Sequence, residues 1–216
     1  MITRTIAAAT HGRYLIDVPA ASGPAPLIVG FHGYAEAAET QLERLRAMPG
    51  SNDWLVVSVQ ALHPFYRGRS QEVVAGWMTQ QDRDLAIADN IAYVNTVVAA
   101  ITQERTVSGT LLFAGFSQGV AMAFRAAAAS PRPVAGVIVC GGDVPPELET
   151  TALARVPAAL VGRGLRDGWY TSEKADADAR RLRDAGVRLT TVEFDGGHEW
   201  PAPFIAAGGA FLSQCR

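Results

Sequence analysis

One stretch in the middle of the chain constrains its fold more than any other. Residues 110–116 form a short, largely apolar run, which is typical of a strand buried inside a sheet. Residues 115–119 then give the pattern Gly-x-Ser-x-Gly, with Ser117 at its centre. Residues 121–129 are rich in alanine, the residue with the highest helix propensity. The sequence therefore predicts a serine on a sharp turn between a buried strand and a helix.

Such a turn gives its serine an unusual environment. Glycines at 115 and 119 let strand and helix approach closely, because a side chain at either position would clash. We expect a strained backbone at Ser117, so that its hydroxyl projects from the end of the sheet. The free N–H groups at the start of the following helix would stabilise a negative charge beside that hydroxyl. These features are typical of a nucleophilic serine.

Strands and helices alternate along most of the chain. Residues 3–9 and 13–18 are predicted to form an N-terminal hairpin, and residues 60–81 a long irregular loop. The remaining predicted strands are 27–31, 54–59, 110–116, 134–140, 158–162 and 189–194. Helices are predicted near 39–48, 82–104, 121–129, 172–185 and 203–214. This order predicts a single domain over 1–216: a three-layer α/β/α sandwich with a mostly parallel sheet, an N-terminal antiparallel hairpin and no lid domain.

Composition excludes several classes of function. The formal net charge of −2 gives no basic surface for nucleic acid or an anionic membrane. Two cysteines, Cys140 and Cys215, do not make a disulfide framework, so a reducing, cytoplasmic compartment is expected. Residues 1–10 are too polar for a signal peptide. No apolar run approaches the length of a membrane span, and we expect no stable membrane association.

Polar residues follow the predicted strands where a parallel sheet binds its ligands, beyond the carboxyl ends. A serine hydroxyl needs a base to take its proton, and that base needs an acid to orient it. Where a serine lies on this kind of turn, the chain order is serine, acid, histidine. His198 is the only one of the four histidines that follows Ser117, so it is the candidate base.

Two carboxylates compete for the role of the acid. Asp167 and Asp143 each follow a predicted strand, and Asp167 is the first choice because its separations from serine and histidine are ordinary. Two backbone N–H groups should stabilise the developing oxyanion. One is expected from Gln118, directly after the serine, and the other from Tyr34, after the close-approaching Gly33.

Four motifs together resemble a known superfamily. They are His32-Gly33, Gly-Phe-Ser-Gln-Gly at 115–119, Gly-x-x-Asp at 164–167, and Gly197-His198. The chain resembles the α/β-hydrolases from about residue 25 to 212, and most of all their phospholipase/carboxylesterase group, which includes acyl-protein thioesterases. The resemblance implies a triad of Ser117, Asp167 and His198, hydrolysis of carboxylic esters or thioesters, and no cofactor or metal.

The substrate is less constrained than the chemistry. Aromatic and apolar residues of loop 60–81, with Trp200 beside His198, are candidates for an acyl pocket, and plain packing of the loop is the alternative. These candidates are Phe65, Tyr66, Trp77, Met78 and Trp200. We expect an esterase for small or medium acyl groups, with a small-molecule ester as its only partner; a homodimer stays open. The alternatives are a thioesterase, acyltransferase or peptidase with the same triad, or a non-catalytic binding module.

Overall fold

A computed structural model describes residues 1–20 and 22–215. Its strands are β1 Tyr14–Asp17, β2 Ala25–Phe31, β3 Leu55–Val59, β4 His63–Tyr66, β5 Val73–Gly76, β6 Val107–Phe116, β7 Gly136–Cys140, β8 Ala158–Gly164 and β9 Arg188–Phe194. Within the described residues, seven strands form one sheet in the order β1-β3-β2-β6-β7-β8-β9. Each neighbouring pair in it is parallel except β1 with β3. β4 and β5 form a separate antiparallel hairpin.

Helices cover both faces of this sheet. They are α1 Ala38–Arg46, α2 Arg83–Glu104, α3 Gln118–Ala129, α4 Thr150–Leu153, α5 Ser172–Asp184 and α6 Ala202–Gln214. α1 and α6 pack on one face, and α2, α3 and α5 on the other. The three-layer α/β/α sandwich expected from the alternating pattern is confirmed.

The sheet separates two apolar cores because side chains alternate along its strands. In β6, Leu111 and Phe113 face the core under α2 and α3. Leu112, Ala114 and Phe116 face the core under α1 and α6. Most of these side chains are fully buried, as expected for a central parallel strand covered on both faces.

The N-terminal edge of the sheet differs from the sequence prediction. β1 is antiparallel, as expected for this end of the chain, but its partner is β3 rather than residues 3–9. Residues 3–9 form no strand and are exposed throughout. The β-prone composition of this segment did not decide its structure, because β-propensity depends on packing against neighbouring strands and residues 3–9 pair with none of the strands described.

The segment 60–81, predicted to be irregular, contains the β4–β5 hairpin. Directly after it comes α2, which begins and ends within a residue of its predicted bounds. By length and hydropathy α2 matches a membrane-crossing helix, a criterion that core helices of globular proteins also meet. Val94, Val98 and Ile101 of α2 lie in the core, whereas Leu85 is exposed.

The carboxyl ends of five parallel strands meet at one edge of the sheet. Phe31 is level with Gly115, and Phe116 is level with Cys140. Cys140 is in turn level with Gly162, and the end of β8 is level with the end of β9. The loops that leave these strands are therefore neighbours, and they carry the residues singled out in the sequence.

Candidate active site

Ser117 lies between β6 and α3 in a backbone conformation that few residues other than glycine adopt. Its φ is 52° and its ψ is −119°. The packing around it is equally tight: a Cβ on Gly115 would lie 2.1 Å from the carbonyl oxygen of Gly119. A Cβ on Gly119 would lie 2.1 Å from the carbonyl oxygen of Phe31. Strand, turn and helix are thus fixed at a separation that only glycines permit, and strain of this kind is characteristic of functional sites.

The hydroxyl of Ser117 is not used to cap the helix that follows it. Serine at this position normally accepts a hydrogen bond from an N–H in the first helical turn. Ser117 makes no such capping bond. Gln118 is the first residue of α3, so its N–H has no acceptor within the helix. The turn therefore presents a hydroxyl beside an N–H that has no acceptor among residues 1–20 and 22–215.

Asp167 and His198 come from the loops after β8 and β9 and form a hydrogen bond. His198 Nδ1 lies 2.8 Å from Asp167 Oδ2. The other carboxylate oxygen accepts the N–H groups of Trp169 at 2.8 Å and Tyr170 at 3.0 Å. Burial would raise the pKa of Asp167, but the bonds from Tyr170, His198 and Trp169 outweigh it and hold that pKa below its usual value. Asp167 is thus an ionised, fully buried carboxylate aimed at an imidazole.

Asp143, the second candidate for the acid, is engaged elsewhere. Its Oδ2 lies 3.2 Å from Lys174 Nζ, and both side chains are about half exposed. Lys174 also donates to the carbonyl oxygen of Trp169 at 2.9 Å. Of the two carboxylates, the structure brings Asp167 to His198.

His198 lies beside the turn that carries Ser117. Its ring is 4.9 Å from the ring of Phe116, the residue before the serine. Ser117 N–H donates to the carbonyl oxygen of Cys140 at 3.0 Å, and the Cys140 thiol contacts the carbonyl oxygen of Glu199 at 3.3 Å. One residue of β7 thus touches both the serine and the neighbour of the histidine.

The loop after β2 is held in shape by Glu36. Its Oε2 accepts the N–H of Gly33 at 2.7 Å, and its own N–H donates to the Gly33 carbonyl oxygen at 3.3 Å. With the Gly33 N–H engaged, the next one belongs to Tyr34, and it has no acceptor among residues 1–20 and 22–215. This N–H is the one predicted from the sequence as an oxyanion donor.

His32 lies in the same loop, and both nitrogens of its ring are hydrogen-bonded. Its ring is fully buried, with Nδ1 2.7 Å from the Gly33 carbonyl oxygen and Nε2 accepting the Ala61 N–H at 3.1 Å. These partners require a neutral ring protonated on Nδ1. Burial lowers the pKa of His32, which favours the same neutral form.

The side chain of Gln118 fastens the β4–β5 hairpin to the turn. Its Oε1 accepts the N–H of Trp77 at 2.7 Å, and its Nε2 donates to the carbonyl oxygen of Met78 at 2.9 Å. Gln118 therefore has two separate features: a backbone N–H beside the serine and a side chain that fixes the segment after the hairpin.

Residues 19–215 match the family model described as Phospholipase/Carboxylesterase. The chain belongs to the phospholipase/carboxylesterase family. It is accordingly an α/β-hydrolase. Among curated proteins, none matches it at a significant level.

Solved structures share the fold of this family member. The Bacillus cereus carboxylesterase superposes with a TM-score of 0.73 at 13% identity, covering 95% of each chain. Acyl-protein thioesterase 2 of Zea mays gives 0.72 at 16% identity, covering 94% of this chain and 99% of its own. Esterase PE8 superposes with a TM-score of 0.71 at 22% identity, covering 95% of this chain and 98% of its own. At these identities the similarity establishes the fold alone.

The residues nominated for an acyl pocket in this α/β-hydrolase have different environments. Phe65 and Tyr66 are exposed on the hairpin, and the Phe65 ring lies 5.6 Å from the ring of Tyr34. Met78 is half-buried, with its sulfur 3.5 Å from Arg125 Nη1. Trp77 is a correction: it has no exposed surface, and its indole N–H donates to the His32 carbonyl oxygen.

Trp200 also differs from the expectation that it packs beside His198. It is largely buried against Phe204, with ring centroids 4.7 Å apart, and more loosely against Phe116 at 6.3 Å. The ring in contact with His198 is that of Phe116. The identity of this ring could have been suspected from its place in the serine motif.

The sequence reasoning did not single out Glu36 or Arg44. Arg44 forms a forked ion pair with Glu36 and lies over the ring of Phe116. A spacing of eight residues across the start of a helix is no recognised signal, so only the structure reveals this pair. Over the described parts of the chain, no group of three or more His, Cys, Asp or Glu side chains is placed to hold a metal ion.

Proposed function

We propose that this protein is a serine hydrolase that cleaves carboxylic esters of small or medium acyl groups through an acyl-enzyme on Ser117. The observation that carries the proposal is the 2.8 Å bond between Asp167 and His198, next to a serine in a strained turn. His198 would act as the base and Asp167 would orient it. Membership of the phospholipase/carboxylesterase family supports the same chemistry.

Each step of the reaction uses groups of the protein. Since Nδ1 of His198 is engaged by Asp167, Nε2 is left to take the proton from Ser117 as Oγ attacks the ester carbonyl. The oxyanion that forms is stabilised by the N–H groups of Tyr34 and Gln118. His198 then gives its proton to the leaving alcohol, and water hydrolyses the acyl-enzyme by the same route. The proposal needs no cofactor or metal ion.

The surroundings of the site include exposed aromatic side chains. Tyr34 and Phe65 expose aromatic surface at the proposed oxyanion donor, and such surface suits an apolar acyl or alcohol group. Tyr66 is exposed on the same hairpin. We propose a soluble ester as the substrate and the cytoplasm as the location, in line with the sequence expectations.

A series of p-nitrophenyl esters from acetate to palmitate tests this function. Wild type should turn over the shorter members, and Ser117→Ala should lose all turnover with little change in melting temperature. Ser213→Ala, which changes an exposed serine of α6, is the matched control and should behave as wild type. Turnover that persists in Ser117→Ala would refute the proposed nucleophile.

Acyl thioesters and a fluorophosphonate, added to the same series, separate two of the alternatives. Weak ester turnover with rapid cleavage of acyl thioesters would assign a thioesterase with the same triad. Absence of turnover on all esters and thioesters, with no labelling of Ser117 by a fluorophosphonate, would point to a non-catalytic binding module.

A further inference from the structure

Glu36 and Arg44 form a close ion pair beneath the proposed oxyanion loop. Arg44 Nη1 lies 2.6 Å from Glu36 Oε2, and Nη2 lies 2.7 Å from Oε1. The side chain of Arg44 is only 17% exposed and that of Glu36 only 19%, so water screens the pair weakly. Two parallel charge-assisted bonds fix both groups in orientation as well as distance.

Glu36 determines which N–H group of the loop is left for a substrate. Its carboxylate engages the Gly33 N–H, and its carbonyl oxygen accepts the N–H of Ala75 in β5 at 2.8 Å. In turn, Ala35 N–H donates to the Ala75 carbonyl oxygen at 3.0 Å. The loop is thereby fastened on both sides of Tyr34, whose N–H remains without an acceptor among the described residues.

Arg44 reaches from the same carboxylate towards the proposed base. Its guanidinium carbon lies 4.2 Å from the centre of the Phe116 ring, in a cation–π contact. The Phe116 ring lies 4.9 Å from the ring of His198. A single pair of side chains thus contacts the oxyanion loop at one end and the ring that supports His198 at the other.

The charges of the pair matter as much as its contacts. Burial would raise the pKa of Glu36, but the bond and charge of Arg44, with the Gly33 N–H, outweigh it and lower that pKa. Glu36 is therefore an anion two residues along the chain from Tyr34, whose N–H would stabilise an oxyanion. Without Arg44, this anion would oppose the negative charge that develops in the transition state.

We propose that Glu36 and Arg44 are positioning residues for ester hydrolysis: Glu36 aims the Tyr34 N–H, and Arg44 neutralises Glu36 while supporting Phe116 behind His198. This role rests on the proposed function of Ser117. It predicts an effect on kcat that depends on the sign of the charge left behind, which a purely structural ion pair would not produce.

Four variants test the role: Glu36→Gln, Arg44→Gln, Arg44→Lys and the double variant Glu36→Gln/Arg44→Gln. Arg44→Gln leaves an unpaired carboxylate and should lower kcat by about tenfold or more, with KM within about twofold of wild type. Glu36→Gln keeps an acceptor for the Gly33 N–H and leaves the cation of Arg44, so its kcat should fall by no more than about threefold. The double variant should recover most of the kcat lost in Arg44→Gln.

Each outcome of these comparisons either supports or overturns the positioning role. If the double variant is as slow as Arg44→Gln or slower, or if Arg44→Gln leaves kcat unchanged, the positioning role is overturned. Should Arg44→Gln not fold, Arg44→Lys decides alone, since it keeps the cation: a kcat within about threefold of wild type supports the role and a larger loss overturns it. Turnover by wild type that does not depend on Ser117 would refute the proposed function, and this role with it, before any variant is compared.

Discussion

At the scale of single residues, the site depends on which carboxylate meets the imidazole of His198. Asp167 has no exposed side-chain surface and accepts hydrogen bonds from His198 and from two backbone N–H groups. Those bonds favour its ionised form, which an orienting acid requires. Asp143 is half-exposed and paired with Lys174. Both residues follow predicted strands, and their partners in the structure agree with the choice of Asp167 that its chain separations favoured.

Replacing each carboxylate by its amide should separate their roles. Asp167→Asn keeps an acceptor for Trp169 and Tyr170 but places an amide against His198 Nδ1, which favours the wrong tautomer. We expect kcat for a p-nitrophenyl ester to fall by about 10³- to 10⁴-fold. Asp143→Asn is the matched control and should stay within about threefold of wild type. Equal losses in the two variants would contradict the assignment of Asp167.

At this scale, the residues that could be predicted from the sequence are those whose signal is local in the chain. Ser117 and its flanking glycines form one continuous motif, and His198 is identified by its order after the serine. The pairing of Glu36 with Arg44 depends on how α1 packs against the loop after β2, and no sequence pattern encodes that packing. Trp77 was nominated for a pocket because an aromatic residue in a loop gives no sign of its burial.

At the scale of elements, the site depends on the close packing of β6, α3 and the loop after β2. The positions of Gly115 and Gly119 leave no room for side chains. The hairpin β4–β5 joins this unit through Gln118, whose side chain bonds to Trp77 and Met78. The turn that carries the serine is thus also the anchor for the hairpin.

A methyl group at position 119 should disrupt this packing. In Gly119→Ala the new Cβ would lie 2.1 Å from the Phe31 carbonyl oxygen and 2.7 Å from that of His32, so backbone must move. We expect a loss of about 2 kcal/mol or more in unfolding free energy, measured in urea, together with loss of esterase activity. Gly109→Ala, at the open start of β6, is the control and should not be destabilised. Equal stability of the two variants would show that the close approach is not a constraint.

Removal of the Gln118 side chain should loosen the hairpin while keeping the backbone N–H beside Ser117. In Gln118→Ala we expect the Trp77 amide to exchange its hydrogen about five- to thirtyfold faster, because two hydrogen bonds of about 1 kcal/mol each are lost. Hydrogen exchange followed by mass spectrometry measures this directly. Gln103→Ala, on the exposed side of α2, should leave the Trp77 amide unchanged. Unchanged exchange in Gln118→Ala would mean that the hairpin is held by other contacts.

Element prediction worked where the hydrophobic pattern was strong and failed where pairing decided the structure. Six strands of the main sheet and its long helices followed from apolar runs and helix boundaries. Residues 3–9 have strand-forming composition but no partner, and residues 63–76 form a hairpin despite their polar, irregular sequence. Strand pairing is a property of two segments, so one segment's composition is a weak guide to it.

At the scale of the whole molecule, the parallel sheet brings residues from distant parts of the chain to one edge. Tyr34, Ser117, Asp167 and His198 follow four different strands that end level with one another. The general rule that ligands bind at the carboxyl edge predicted this gathering from the sequence. It could not predict the β4–β5 hairpin, which lies next to the loop after β2.

Global stability should depend on pH through buried His32. Burial lowers its pKa in the folded protein, whereas the unfolded chain takes up a proton below about pH 6.5. The unfolded state therefore binds more protons, so this contribution is complete above that pH and is lost as pH falls, by at most about 1.4 kcal/mol per pH unit. The stability difference between wild type and His32→Asn, from urea unfolding, should thus be smaller at pH 5.5 than at pH 7.5.

A buried residue that does not titrate provides the control for this comparison. Gln41 is fully buried, and Gln41→Leu should change the unfolding free energy equally at the two pH values. If the difference between wild type and His32→Asn is also the same at both pH values, His32 is not a buried group with a lowered pKa in the folded protein.

Labelling by a fluorophosphonate, with the modified residue located by peptide mass spectrometry, tests directly whether Ser117 is the nucleophile. One adduct is expected, on Ser117, in folded wild-type protein. His198→Ala should label at least about 10³-fold more slowly, because the hydroxyl then lacks its base. An adduct on another residue, or equal labelling rates with and without His198, would contradict the assignment of Ser117 and His198 as nucleophile and base.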